Sequence, residues 1–169
     1  MKSTLALASA AALSLALLPA ATLAQVNATW ASCCGPADAS CVRWTSMTFN
    51  PPAPVAGGNI MINGTGLAPA AISNSSLNTG AVNAYLYGLN VFSAAVATCG
   101  ETVVDVLDVT TGTLDALPCP VSAGQKVALG FVLPIPYPAQ GLGELVITLN
   151  TTDQTGNNVA FCINVNATI

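Results

Sequence analysis

The residues of this chain that could do covalent or coordination chemistry are few. Six are cysteines: Cys33, Cys34, Cys41, Cys99, Cys119 and Cys162. Seven are carboxylates, Asp38, Glu101, Asp105, Asp108, Asp115, Glu144 and Asp153, and there is no histidine. Lack of histidine removes Ser-His-Asp and Cys-His nucleophilic machinery, the usual zinc and copper ligands, and the usual base at neutral pH. Asp105 and Asp108 are three apart, so on a strand they face opposite sides and cannot share a substrate without a bulge. Glu101, Asp115 or Glu144 could enter a glycosidase-type carboxylate pair, but no spacing selects two of them. Cys33 and Cys34 are adjacent and no Cys-x-x-Cys occurs, which favours disulfides over a thiolate zinc site. Asp105, Asp108 and Asp115 are at best a loose calcium set, and solvated acids on strand edges and turns are the simpler reading. The glycine motifs that cradle phosphates are also missing. The composition points away from an enzyme and predicts no cofactor and no metal.

What the cysteines do predict is export. The chain opens MKSTLALASAAALSLALLPAATLAQ, one Lys followed by Ala and Leu and then small residues, with Pro19 breaking the run. This reads as a signal peptide over 1–24, cut after Ala24, and not as an anchor of about 20 unbroken apolar residues. Residues 25–169 suit one domain with one core. All six cysteines fall there, where oxidation is expected. Asn27, Asn63, Asn74, Asn150 and Asn166 each begin an Asn-x-Ser/Thr sequon, as on a glycosylated surface. Past the leader only Arg43 and Lys126 oppose the seven acids, so no basic patch exists to attract nucleic acid or an anionic bilayer. No later segment is long and apolar enough to span a membrane.

The elements that must carry these residues are strands. From about residue 55 onward the pattern has period two, with turn residues between runs. Ile60 and Ile62 share a face of "NIMING". "AVNAYLYGLNVF" (81–92) reads as the longest single run, apolar on both faces as a covered strand is. "ETVVDVLDV" (101–109) reads as another. Val127, Leu129, Phe131, Leu133 and Ile135 alternate cleanly with Lys126, Ala128, Gly130 and Val132. "GELVITLNTTDQTGNNVAFCINV" reads as a hairpin turning near 153–157, with Val159, Phe161, Ile163 and Val165 on one face and Cys162 aimed at the other. A first strand falls near "RWTSMTF", after an N-terminal arm holding three cysteines. Six or seven such strands predict an all-β, immunoglobulin-like sandwich of two antiparallel sheets with disulfides.

Four pieces in order give a resemblance: "YLYGLNVF", the pair Cys99 and Cys119, "LPCPVSAGQKVALGFVLPIPYP", and the closing hairpin with Cys162. Together they resemble the ML lipid-recognition domain family, which includes the lysosomal cholesterol-transfer protein of Niemann-Pick type C disease and fungal phosphatidylglycerol/phosphatidylinositol transfer proteins. The likeness spans roughly residues 40–166 and is one of pattern and order. It implies that Cys99 pairs with Cys119 and Cys162 with Cys33 or Cys34, leaving the other for Cys41. It also implies a non-catalytic protein of the secreted or endolysosomal lumen, acting as a monomer with a sterol or phospholipid as its partner and transient membrane contact.

By resemblance and strand parity the residues lining such a site are Phe92, Pro120, Val121, Phe131, Ile135, Tyr137, Leu145, Ile147 and Phe161. If the sheets splay, their inward side chains line a dry slot that an apolar guest completes. Pro134, Pro136 and Pro138 would stop strand pairing and hold a stiff open rim, unless they only guard an ordinary edge against aggregation. The rival class is a glycosylated sandwich with a closed core that mediates adhesion. A carbohydrate-binding module using Trp30, Trp44 or Tyr137 is a weaker third reading.

Overall fold

The computed structural model describes residues 28–55, 57–108, 110–135 and 143–168. The 1–24 leader, Asn27, Pro136, Tyr137 and Pro138 lie outside the described residues. Ten strands run through those that are described: β1 Thr29–Ser32, β2 Arg43–Asn50, β3 Asn59–Leu67, β4 Thr79–Leu86, β5 Leu89–Ala97, β6 Glu101–Val106, β7 Thr110–Asp115, β8 Lys126–Pro134, β9 Glu144–Thr152 and β10 Val159–Thr168. They form two antiparallel five-stranded sheets, ordered β1-β10-β9-β4-β5 and β2-β3-β8-β7-β6. The all-β two-sheet sandwich expected from the alternation is the fold observed.

Alternation explains the layers. On β8 the inward residues Val127, Leu129, Phe131 and Leu133 are buried, whereas Lys126 and Ala128 between them are exposed. β3 does the same with Ile60 and Ile62, then continues with Gly64 and Gly66 in the inward positions. Those glycines are required by packing. A Cβ on Gly64 would sit 3.3 Å from Cε3 of Trp44, and one on Gly66 3.0 Å from the same atom. The Trp44 indole occupies that space and meets Phe161 edge-on, with ring centroids 5.9 Å apart. Trp44 therefore packs in the core and is no exposed sugar platform.

Two long runs prove to be hairpins. The 81–92 stretch turns at Tyr87 and Gly88, both at positive φ (51° and 76°), and the 101–109 stretch turns at Leu107 and Asp108, both at φ 55°. Between Leu86 and Leu89 two successive residues at positive φ give the tight turn whose twist matches paired strands, which normally takes Asn-Gly; between Val106 and Thr110 the loop is one residue longer but also uses left-handed positions that favour Asn or Gly. A tyrosine and a leucine at such positions disguise the turns as strand. The second turn also creates β7, "TTGTLD", whose inward side contributes only Gly112 and Leu114. A further correction falls on the last hairpin. The register slips between Val159 and Phe161, so Ala160 and Phe161 are both fully buried while Val159 is half-buried and leaves the inward set.

The disulfides are Cys33–Cys162, Cys34–Cys41 and Cys99–Cys119. All three lie at one end of the sandwich, where β1 ends, β5 passes into β6 and β10 begins. The opposite end carries the tips Tyr87–Gly88 and Leu107–Asp108, the start of β3 and the end of β8. It has no disulfide, since all six cysteines are used at the other.

Candidate functional site

The candidate site is the space between the sheets. At its centre is a hollow walled by Ile62, Leu129 and Phe131 of one sheet and by Ile147, Leu149, Ile163 and Val165 of the other. Every wall residue is apolar and at most 4% exposed. Its volume is about 10 Å³, about the room one water molecule needs. With no polar group on its wall, such a void stays dry. The splayed slot expected from the sequence is thus not open in this structure. The two layers mesh, and the hollow marks where they mesh least.

The candidate lining residues fall into five groups. Phe131 and Ile147 face the hollow. Phe92, Leu145 and Ile135 are buried (8%, 7% and 3% exposed) nearer the disulfide-free end. Phe161 and Val121 are buried nearer the disulfides, Phe161 against Trp44 and Val121 bridged to Ile72. Pro120 is exposed in the turn beside Cys119 and does not reach the interior, a correction to its place on the list. Tyr137 lies outside the described residues. Parity on β3, β8, β9 and β10 carries the signal for Ile62, Leu129, Leu149, Ile163 and Val165, but nothing in it ranks the middle of a strand above its ends.

The proline rim also differs from expectation. Pro134 remains in register with Asn59 of β3, and pairing runs on through Ile135, whose N–H donates to Gly58 O at 2.8 Å while its carbonyl accepts from Gly57 N at 2.8 Å. Pro134 therefore does not end pairing on the β3 side. On the other side the β7–β8 ladder is recorded only over Thr113↔Val132, Leu114↔Phe131 and Asp115↔Gly130, though both strands continue. Ile135 turns its backbone groups to β3, so Pro134 turns its own to β7, where it has no N–H to give.

Charge is absent from the walls. Arg43 and Lys126 begin β2 and β8 at the disulfide end, and Asp105, Asp108 and Glu144 sit toward the other. Asp153 is the buried carboxylate, in the β9–β10 turn. Burial pushes its carboxyl up, but hydrogen bonds from Thr155 N and Oγ1 and from Asn158 Nδ2 outweigh burial and hold it below its ordinary value. It is a turn former with its acceptors filled. Among the described residues no three metal-ligating side chains cluster. The sequon residues Asn63, Asn74, Asn150 and Asn166 are exposed, and none is at the disulfide-free tips.

A family model described as ML domain matches residues 27–169. The chain belongs to the ML domain family. Among solved structures, a Niemann-Pick type C2 protein from Japanese carpenter ant matches with a TM-score of 0.55 at 10% identity, over 83% of this chain and 98% of that one. Chicken MD-1 complexed with lipid IVa matches with a TM-score of 0.46 at 14% identity, over 84% and 88%. No curated protein sequence matches the chain. At 10% identity the likeness to the carpenter ant protein is one of fold. The ML domain assignment therefore rests on the family match, and the two-sheet architecture agrees with it.

Proposed function

We propose that this ML domain binds one lipid molecule between its sheets and carries it unchanged through the secretory or endolysosomal lumen, as a monomer that meets membranes transiently. One observation carries the reading: the centre of the sandwich is a dry hollow to which both sheets contribute apolar side chains and no polar atom. A lipid-sized guest needs a few hundred Å³. The closed state has to widen, with side chains that now touch each other touching the guest instead. Each methylene leaving water contributes about 0.8 kcal/mol, so a tail of about 14 carbons supplies roughly 11 kcal/mol before ordering costs. Association itself costs about 4 to 15 kcal/mol, so the layers part only if the side chains they separate regain their contacts on the guest. With Arg43 and Lys126 both at the disulfide end, a polyanionic headgroup finds no partner near the tips, which favours a sterol or the tails of a phospholipid. The absence of histidine from the sequence speaks for transport and against chemistry on the guest.

The test is titration with a fluorescent sterol and a fluorescent phospholipid. Saturable binding of either at one per chain is the expected result, and binding of neither removes the reading. The tight mesh of the sheets favours one rival, a glycosylated sandwich that acts through its surface alone. That protein would bind neither probe.

A further inference from the structure

The lipid-carrier reading leaves open how a guest passes between closed sheets. Resting on that reading, we propose that the seam between β5 and the β6–β7 hairpin is the entry portal, and that the distal half of that hairpin is a leaf hinged at Gly112 and Pro134.

A sandwich has two lateral seams, and they are fastened differently. Along the β1–β2 side, Ala28 N donates to Pro52 O at 3.0 Å at the disulfide-free end, and Val42 N to Ala160 O at 2.8 Å at the other. That seam is pinned top and bottom. Along the β5–β6 side, the hydrogen bonds among the described residues are Ala97 N to Thr102 Oγ1 at 3.1 Å and Leu117 N to Thr98 O at 3.0 Å, both beside the Cys99–Cys119 disulfide. Among the described residues no hydrogen bond crosses this seam toward the tips. An open cleft of about 350 Å³ lies over the seam there, walled by Asn90, Val91, Phe92 and Ser93 on one side and by Asp105, Leu107 and Asp108 on the other. Phe92 belongs to both the cleft and the buried core.

The leaf follows from the broken ladder. β7 is held to β8 at Thr113–Asp115 and released beyond, because Pro134 faces Thr111 without an N–H. Gly112 sits at the release point. A Cβ there would lie 2.5 Å from Val132 O and 3.1 Å from Pro134 Cδ, so only glycine lets the strands pass. Beyond the hinge the hairpin keeps its own pairing, Val104↔Gly112 to Val106↔Thr110, and holds its place by burying Val104 and Val106. Apolar contacts alone reform as easily to a guest as to Phe92. The rim residues Val91 and Leu107 are 41% and 51% exposed, which gives an arriving tail a first apolar contact.

Two experiments test this. Ser93→Cys with Asp105→Cys places one thiol on each wall of the cleft, and a bis-maleimide joins them; all six native cysteines are already paired. Uptake of a fluorescent sterol, followed by stopped flow, is expected to slow at least tenfold on cross-linking. A matched link across the other seam, Ala31→Cys with Thr48→Cys, is expected to leave the rate unchanged. Undiminished uptake with the β5–β6 seam linked overturns the portal while the carrier reading stands; a probe that binds no variant removes both. Independently of any guest, the Thr111 amide is expected to exchange at least tenfold faster than that of Thr113, and Pro134→Ala, which restores the missing N–H, to narrow that ratio and slow uptake. Equal protection at Thr111 and Thr113 in the wild type refutes the hinge.

Discussion

The three disulfides staple one end of the sandwich, and their loops predict very unequal contributions. Cys33–Cys162 closes a separation of 129 residues, Cys99–Cys119 one of 20 and Cys34–Cys41 one of 7. Loop-closure entropy gives about 5, 3.3 and 2.4 kcal/mol respectively, taking each bridge as acting on the unfolded chain. Replacing both cysteines of one pair by alanine and measuring urea unfolding at neutral pH reads these values directly. A domain of this size is stable by about 5 to 15 kcal/mol, so loss of Cys33–Cys162 alone consumes a third or more. The order of the three variants matters more than the absolute values. If loss of Cys34–Cys41 costs as much as loss of Cys33–Cys162, the bridges act through native contacts and not through the loops they close, and the reasoning is wrong. The Cys99–Cys119 variant adds a functional reading: this bridge fastens the closed end of the β5–β6 seam, so its removal should speed sterol uptake.

Three other outcomes follow from particular side chains. Asp153 has its folded pKa held down, so its contribution is present above the ordinary carboxylate pKa of about 4 and is lost as pH falls through the depressed value. Unfolding followed from pH 6 to pH 2 should show the wild type losing stability relative to Asp153→Asn below about pH 4; parallel curves would show that the turn does not depend on the charge. Leu107 pays for positive φ while half exposed, so Leu107→Asn should raise stability by about 0.5–1 kcal/mol in urea unfolding, and a loss instead would mean its packing outweighs the strain. Expression in a secretory eukaryotic host followed by enzymatic deglycosylation and peptide mapping should find sugar at exposed Asn63, Asn74, Asn150 or Asn166; four bare sites would remove the glycoprotein expectation.

How far the sequence could be read depended on which physical signal each element carried. β8 and the β9–β10 hairpin were legible because bulky inward residues alternate with small or polar ones, and that alternation is what burial on one face demands. The turns at Tyr87–Gly88 and Leu107–Asp108 were not, because apolar residues occupy positions where Asn or Gly would have signalled them. β7 was invisible for the opposite reason, since Thr-Thr-Gly-Thr offers almost no apolar side to recognise. β1 is only four residues long and borrows its order from β10 and from Cys33–Cys162. For the interior, parity identified inward side chains such as Phe131 and Ile147. It could not say whether the sheets stand apart, because the spacing of two layers is set by how their side chains interlock and not by either strand alone. Pro120 shows the limit of pattern: an apolar residue beside a cysteine, it ended outside because the turn that carries it runs over the surface. Pro134 signals a stop to pairing, but a strand residue offers its N–H to one neighbour only, and the β3 side keeps its ladder.

The central claim is that the closed hollow opens around a lipid. Protein purified from its natural source, extracted with organic solvent and analysed by mass spectrometry, is the most direct measurement. The account predicts a sterol or phospholipid recovered at close to one molecule per chain. Lipid-free protein that also fails to take up the fluorescent sterol and phospholipid would contradict it.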